Sequence, residues 1–64
     1  MKLSIKAWRT NAKLSQKELG DKMDVTENTV AKWEKYITYM KAPQFMKFCE
    51  IVGAKPEEVS LNKE

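Results

Sequence analysis

Between Ser15 and Lys35 the chain reads SQKELGDKMDVTENTVAKWEK, and the chemistry on offer there is hydrogen bonding rather than bond breaking. Glu27, Asn28, Lys32 and Lys35 bring a carboxylate, an amide and two ammonium groups within one short stretch. Small polar side chains in the first turn of a helix, with cations close behind, suit the donor and acceptor edges exposed in a DNA major groove. Catalytic sets are missing. The sequence has no His, the commonest general base and metal ligand, and one Cys, which removes a thiolate pair for zinc. Its two glycines, Gly20 and Gly53, stand too far apart for a phosphate loop, and the neighbouring Glu57 and Glu58 diverge on a helical turn. No enzymatic activity, cofactor or metal is expected.

The elements that must position these groups follow from spacing. Ile5, Trp8 and Ala12 share one face of a first helix over about residues 3–12. A second helix covers about 16–23, opened by the reciprocal capping pair Ser15 and Glu18 and buried along Leu19 and Met23. Asp24 falls where the chain turns sharply and is expected in the left-handed region, which Asp tolerates better than most residues. Val25 plugs back into the core, and Thr26 caps a third helix over about 27–35 with Val30 and Trp33 inward. Residues 36–41 connect to a fourth helix at about 42–52, with Pro43 in its first turn. Phe45, Phe48, Cys49 and Val52 form its apolar face, and Gly53 ends it. Pro56 opens a last short turn over 56–61, where Val59 and Leu61 close the core. Period-two alternation is absent over any useful length, so the chain is expected to be all-α.

Bulk properties set the frame. Sixty-four residues make one domain, 1–64, with a small core, and 42% apolar with 33% charged residues fits a folded chain rather than a disordered one. Residues 1–47 carry ten Lys or Arg against five acids, whereas 48–64 carry two Lys against four acids. A basic body with an acidic tail points to a polyanion partner on one face. The apolar runs are too short to span a membrane, and the N-terminus lacks the apolar block of a signal peptide. With Cys49 unable to form an internal disulfide, a reducing cytoplasm is the expected location, alongside the nucleoid.

Taken together, Arg9, Leu14-Ser15-Gln16, Leu19-Gly20, Val25-Thr26 and Trp33-Glu34 resemble the pattern of the lambda-repressor/Cro-like helix-turn-helix family, the xenobiotic-response-element type. The downstream FMKFCEIVGAKPEEV is similar to that family's closing segment, so the likeness covers nearly the whole chain. It implies a five-helix, lambda-repressor-like DNA-binding fold with the helix-turn-helix in helices 2 and 3. Gly20 replaces the family's Ala where helix 3 crosses helix 2 closely, and Arg9 and Glu34 match a pair tying helix 1 to the end of helix 3. Three positions depart from the pattern. Asp24 and Tyr36 stand where Gly is frequent, and Met40 stands where Pro is usual. A bulky Tyr36 is unsuited to positive φ, so helix 3 is expected to run longer or the 36–41 loop to differ.

The same resemblance implies the contacts. Glu27, Asn28 and Lys32 match base-reading positions, with Thr29 a fourth candidate. Asn28 suits adenine N6 and N7, Lys32 guanine O6 and N7, Glu27 cytosine N4, and Thr29 a thymine methyl. Gln16 at the start of helix 2 would hold a phosphate, and Thr26, Lys35 and Lys41 are further phosphate candidates. The implied protein is a repressor or Cro-like switch of phage or bacterial type, a dimer on a near-palindrome, with no small-molecule ligand. Ile37, Tyr39, Met40, Val59 and Leu61 are candidates for the dimer patch. Plainer readings stand beside these. Trp8, Trp33, Phe45 and Phe48 are core rather than a stacking platform, and Cys49 acts as a small hydrophobe. Lys32 and Lys35 are also what solvated surface lysines look like, and Glu27 also complements a helix N-terminus. A different class of function, an antitoxin or adaptor gripping a protein through the same fold, remains open at this level. A homeodomain does not, because Trp33 lacks the Phe-Gln-Asn that would follow it.

Overall fold

The computed structural model describes residues 2–60. Four α-helices run in order: α1 Ile5–Asn11, α2 Gln16–Met23, α3 Glu27–Lys35 and α4 Ala42–Val52. Two single 3-10 turns, Ile37–Tyr39 and Pro56–Glu58, follow α3 and α4. The expected fifth helix is therefore a correction. Pro56 starts one tight turn, and the chain then extends because Val59 pairs in parallel with Leu3. Hydrogen bonds from Leu3 N–H to the Glu58 carbonyl (3.0 Å) and from Ser60 N–H to the Leu3 carbonyl (2.8 Å) hold that pairing. Leu61 lies outside the described residues.

The same pairing shortens the first helix from its expected 3–12. Leu3 is committed to the extended bridge, so α1 begins after Ser4, whose hydroxyl accepts from the Ala7 N–H at 3.1 Å. At the other end Lys13 takes φ 62°, with its N–H on the Thr10 carbonyl and the Leu14 N–H on the Arg9 carbonyl. Those two bonds satisfy carbonyls the helix end would leave open, at the cost of placing a lysine in the left-handed region. Asp24 closes α2 in the same way at φ 60°, with the Val25 N–H reaching the Gly20 carbonyl at 2.9 Å.

Ser15 and Glu18 make both halves of the capping box, 2.8 Å and 3.0 Å. The Ser15 backbone N–H, then its hydroxyl, hold the Glu18 carboxyl below the usual carboxylate range. Gly20 is needed by the turn rather than by the crossing of α2 and α3. A Cβ there would stand 2.8 Å from the Val25 carbonyl oxygen and 3.3 Å from the Thr26 backbone. The short α2–α3 connection folds back across α2 at the helix's one position without a side chain.

The core gathers Ile5, Leu19, Met23, Val30, Trp33, Phe48, Cys49, Val52 and Val59. Trp33 and Phe48 are its largest fully buried members. Trp8 and Phe45, expected in the core, are half-buried at its margin, and the Trp8 indole N–H is satisfied by the Glu58 carbonyl at 3.1 Å. Burial pushes the Cys49 thiol pKa up, which suppresses the reactive thiolate. Val59 is 1% exposed and closes the core as the sequence indicated, so it cannot also serve the dimer patch for which it was a candidate.

Candidate nucleic-acid interface

The stretch 26–35 folds into a helix with two distinct sides. Glu27, Asn28, Ala31, Lys32 and Lys35 are exposed, while Val30 and Trp33 are buried and Thr29 and Glu34 are half-buried. At about 100° per residue, the five exposed positions fall within one arc of about 140°. α3 thus presents a continuous outward strip of carboxylate, amide, methyl and two ammonium groups. At its N-terminus the Thr26 hydroxyl accepts from the Thr29 N–H at 3.2 Å and lies 3.0 Å from the Thr29 hydroxyl. This bond anchors the first turn and restricts the Thr29 side chain.

Three helices are bound together beneath that strip. The Glu34 carboxylate accepts from Arg9 Nε of α1 through one oxygen and from Gln16 Nε2 of α2 at 2.9 Å through the other. Arg9 Nη1 also donates to the Leu14 carbonyl at 2.7 Å. The Arg9 and Glu34 side chains are 12% and 8% exposed, so the charges meet largely out of water. Gln16 therefore spends part of its amide on Glu34, which orients it at the N-terminus of α2. Its second amide N–H is not used in this bond and stands beside the open amides that any helix N-terminus carries.

Thr26, Lys35 and Lys41 are exposed. Lys41 caps α4 through its backbone, its N–H bonded to Gln44 Oε1 at 2.9 Å, which leaves the ammonium uninvolved in that bond. The segment between α3 and α4 takes neither a positive φ at Tyr36 nor a longer α3. Tyr36 is extended at φ −142°, ψ 100°, and a 3-10 turn follows it. That geometry is what a side chain larger than Gly permits at this position.

Tyr36 and Tyr39 are the residues that spacing alone did not assign to this face. They line a groove of ≈500 Å³ together with Thr29, Lys32, Trp33 and Lys35. Their rings meet edge to face, 5.8 Å apart at 87°, and Lys35 Nζ stands 5.8 Å from the Tyr36 centroid. The sequence marked Tyr36 only as a bulky residue where the family often has Gly, and Tyr39 only as a candidate for the dimer patch; their adjacency to Lys35 was the signal that spacing left unused.

A family model described as helix-turn-helix matches residues 5–59. The chain belongs to the helix-turn-helix family. Within it the match is to the lambda-repressor/Cro-like, xenobiotic-response-element type. Members of this family are DNA-binding regulators, and so is this chain at that level of description. No curated protein and no solved structure matches it. Among the described residues no helix is long and apolar enough to cross a membrane.

Proposed function

We propose that this helix-turn-helix protein is a repressor or Cro-like switch that reads its operator with the exposed strip of α3. The observation that carries this is the single arc formed by Glu27, Asn28, Ala31, Lys32 and Lys35, held on a three-helix base by Glu34. A strip of hydrogen-bonding groups around one small side chain is what allows a helix to lie deep against base edges. Asn28 pairs with adenine, Lys32 donates to guanine, Glu27 accepts from cytosine and Thr29 offers its methyl to thymine. Gln16 and Thr26, at the starts of α2 and α3, and Lys35 and Lys41 hold phosphates on either side, fixing register without reading sequence.

The described residues measure 27 × 21 × 20 Å, shorter than one helical turn of DNA, which suits one copy to one half-site. Two copies fit on one face of the duplex with half-site centres roughly 34–36 Å apart. Ile37, Met40 and Phe45, with Thr38 and Ala42, line a shallow apolar groove of ≈360 Å³ that supports a subunit contact.

Selection of bound sequences from random duplexes tests the reading directly. The wild-type chain recovers a near-palindrome, and Asn28→Ala and Lys32→Ala each relax preference at one position per half-site. Equal weakening on every sequence would make both residues backbone contacts. Recovery of no preferred sequence at low salt would end the proposal.

A further inference from the structure

The cap and the first turn of α3 carry two threonines whose hydroxyl oxygens lie 3.0 Å apart. Thr26 Oγ1 also accepts from the Thr29 N–H at 3.2 Å. The Thr26 backbone is itself packed on α2, since a Cβ at Gly20 would meet its carbonyl carbon and oxygen at 3.3 Å. Thr26 is exposed, and Thr29 is half-buried beside Lys32 at the margin of the outward strip.

Between two isolated hydroxyls, either can donate to the other. A phosphate removes that choice. An ionised phosphate oxygen only accepts, so a Thr26 hydroxyl that holds one spends its single proton there. Both lone pairs of Thr26 Oγ1 are then used inside the turn, one on the Thr29 N–H and one on the Thr29 hydroxyl. Thr29 becomes the donor of the pair. What it keeps for a base is a methyl group and an oxygen that accepts.

We propose that Thr26 is a positioning residue for base recognition: a phosphate on its hydroxyl commits the Thr29 proton to Thr26, so that Thr29 favours thymine and rejects guanine. Guanine shows only acceptors, N7 and O6, in the major groove and finds no proton on Thr29 to bond. Thymine offers its methyl to the Thr29 methyl. The inference rests on the reading of α3 above and deepens it. A phosphate contact by itself carries no sequence information. Here it acquires some through one hydrogen bond.

The test is fluorescence anisotropy at the operator position whose preference Thr29→Ala relaxes in the selection experiment. Duplexes carry thymine, uracil or guanine there, each correctly paired, and the further variants are Thr26→Ala, Thr26→Ser, Thr29→Val and Thr29→Ser. Affinities for two duplexes are compared within each variant, so any loss of folded protein through a weakened cap cancels. Wild type prefers thymine to uracil by about fourfold, the scale of one buried methyl, and thymine to guanine by at least about tenfold. Thr29→Val keeps both ratios within about twofold, because it lacks only the hydroxyl. Thr29→Ser loses the preference for thymine over uracil. Thr26→Ala lowers the thymine-over-guanine ratio by about fivefold, the worth of one hydrogen bond from the freed Thr29 proton. Thr26→Ser restores that ratio.

A thymine-over-guanine ratio unchanged in Thr26→Ala overturns the proposal, as does a Thr29→Val that loses it, which makes the Thr29 hydroxyl the reading group. A Thr26→Ser as altered as Thr26→Ala also overturns it, since the methyl of Thr26 is then the operative group. So does a Thr29→Ala that relaxes no position. A wild type that selects no sequence removes the reading of α3 itself, an outcome distinct from a wild type that selects an operator and a Thr26→Ala that reads it unchanged.

Discussion

Replacing Arg9 by Met asks how much the three-helix junction under α3 is worth. Arg9 is 12% exposed and Glu34 8%, and Glu34 faces α1 through one oxygen and α2 through the other. Two unit charges about 4 Å apart at an effective dielectric of about 20 attract by about 4 kcal/mol. Removing the guanidinium strands a carboxylate whose one remaining protein hydrogen bond in this network comes from the Gln16 amide. Breaking one side of such a pair costs about 3–5 kcal/mol, and the residual exposure here favours the lower figure. A chain of this length has roughly 3–10 kcal/mol to lose, so Arg9→Met removes a large part of its stability.

Urea unfolding followed by tryptophan fluorescence measures this, since Trp33 is 1% exposed and changes environment fully on unfolding. With a slope near 1 kcal/mol per molar, a loss of about 3 kcal/mol lowers the midpoint by about 3 M. The double variant Arg9→Met/Glu34→Met removes both charges and should be more stable than Arg9→Met alone, by about 2 kcal/mol. If Arg9→Met costs under about 1 kcal/mol, or the double variant loses the sum of the two single losses, the junction is not a desolvated ion pair and the reasoning fails.

Lys13→Gly relieves a lysine held at φ 62° and should stabilise the domain by about 0.5–1 kcal/mol, offset in part by a more flexible unfolded chain. Calorimetry should show a rise in Tm of roughly 3–6 °C, and none for Lys13→Ala, which keeps the Cβ. Ala31→Glu puts bulk and negative charge at the centre of the exposed strip; DNA binding should fall at least about 100-fold in anisotropy while Tm moves little, because the site is exposed and helical. Comparable binding by Ala31→Glu and wild type would place DNA elsewhere. The Glu18 pKa is lower in the folded chain than in the unfolded one, so its charge stabilises the fold at pH above the unfolded value of about 4.3. That contribution disappears as pH falls through the folded value. The Tm advantage of wild type over Glu18→Gln should therefore be largest at neutral pH and shrink as the pH falls below the ordinary carboxylate range.

Local signals carried a great deal of this protein. Capping at Ser15 and Thr26, the left-handed turn at Asp24 and the inward faces of α2, α3 and α4 all depend on residues within one turn of each other. Such interactions are legible because the partner is close along the chain. The ends of the fold were not legible in the same way. Leu3 reads as helical, and only its pairing with Val59, more than fifty residues on, draws it out of α1 and leaves Ser4 as the cap. That pairing also replaced the fifth helix with one 3-10 turn and buried a Val assigned to a dimer patch.

From residue types and spacing alone came the helical class and the exposed polar strip of α3. Tertiary structure decided which groups share a surface. Gln16 was divided between Glu34 and solvent, Gly20 was matched to the backbone of the following turn, and Tyr39 was stood beside Tyr36 along one groove with Lys32 and Lys35. The reason is range: backbone propensity and capping act over three or four residues, whereas burial and ion pairing are settled only when distant segments compete for the same space.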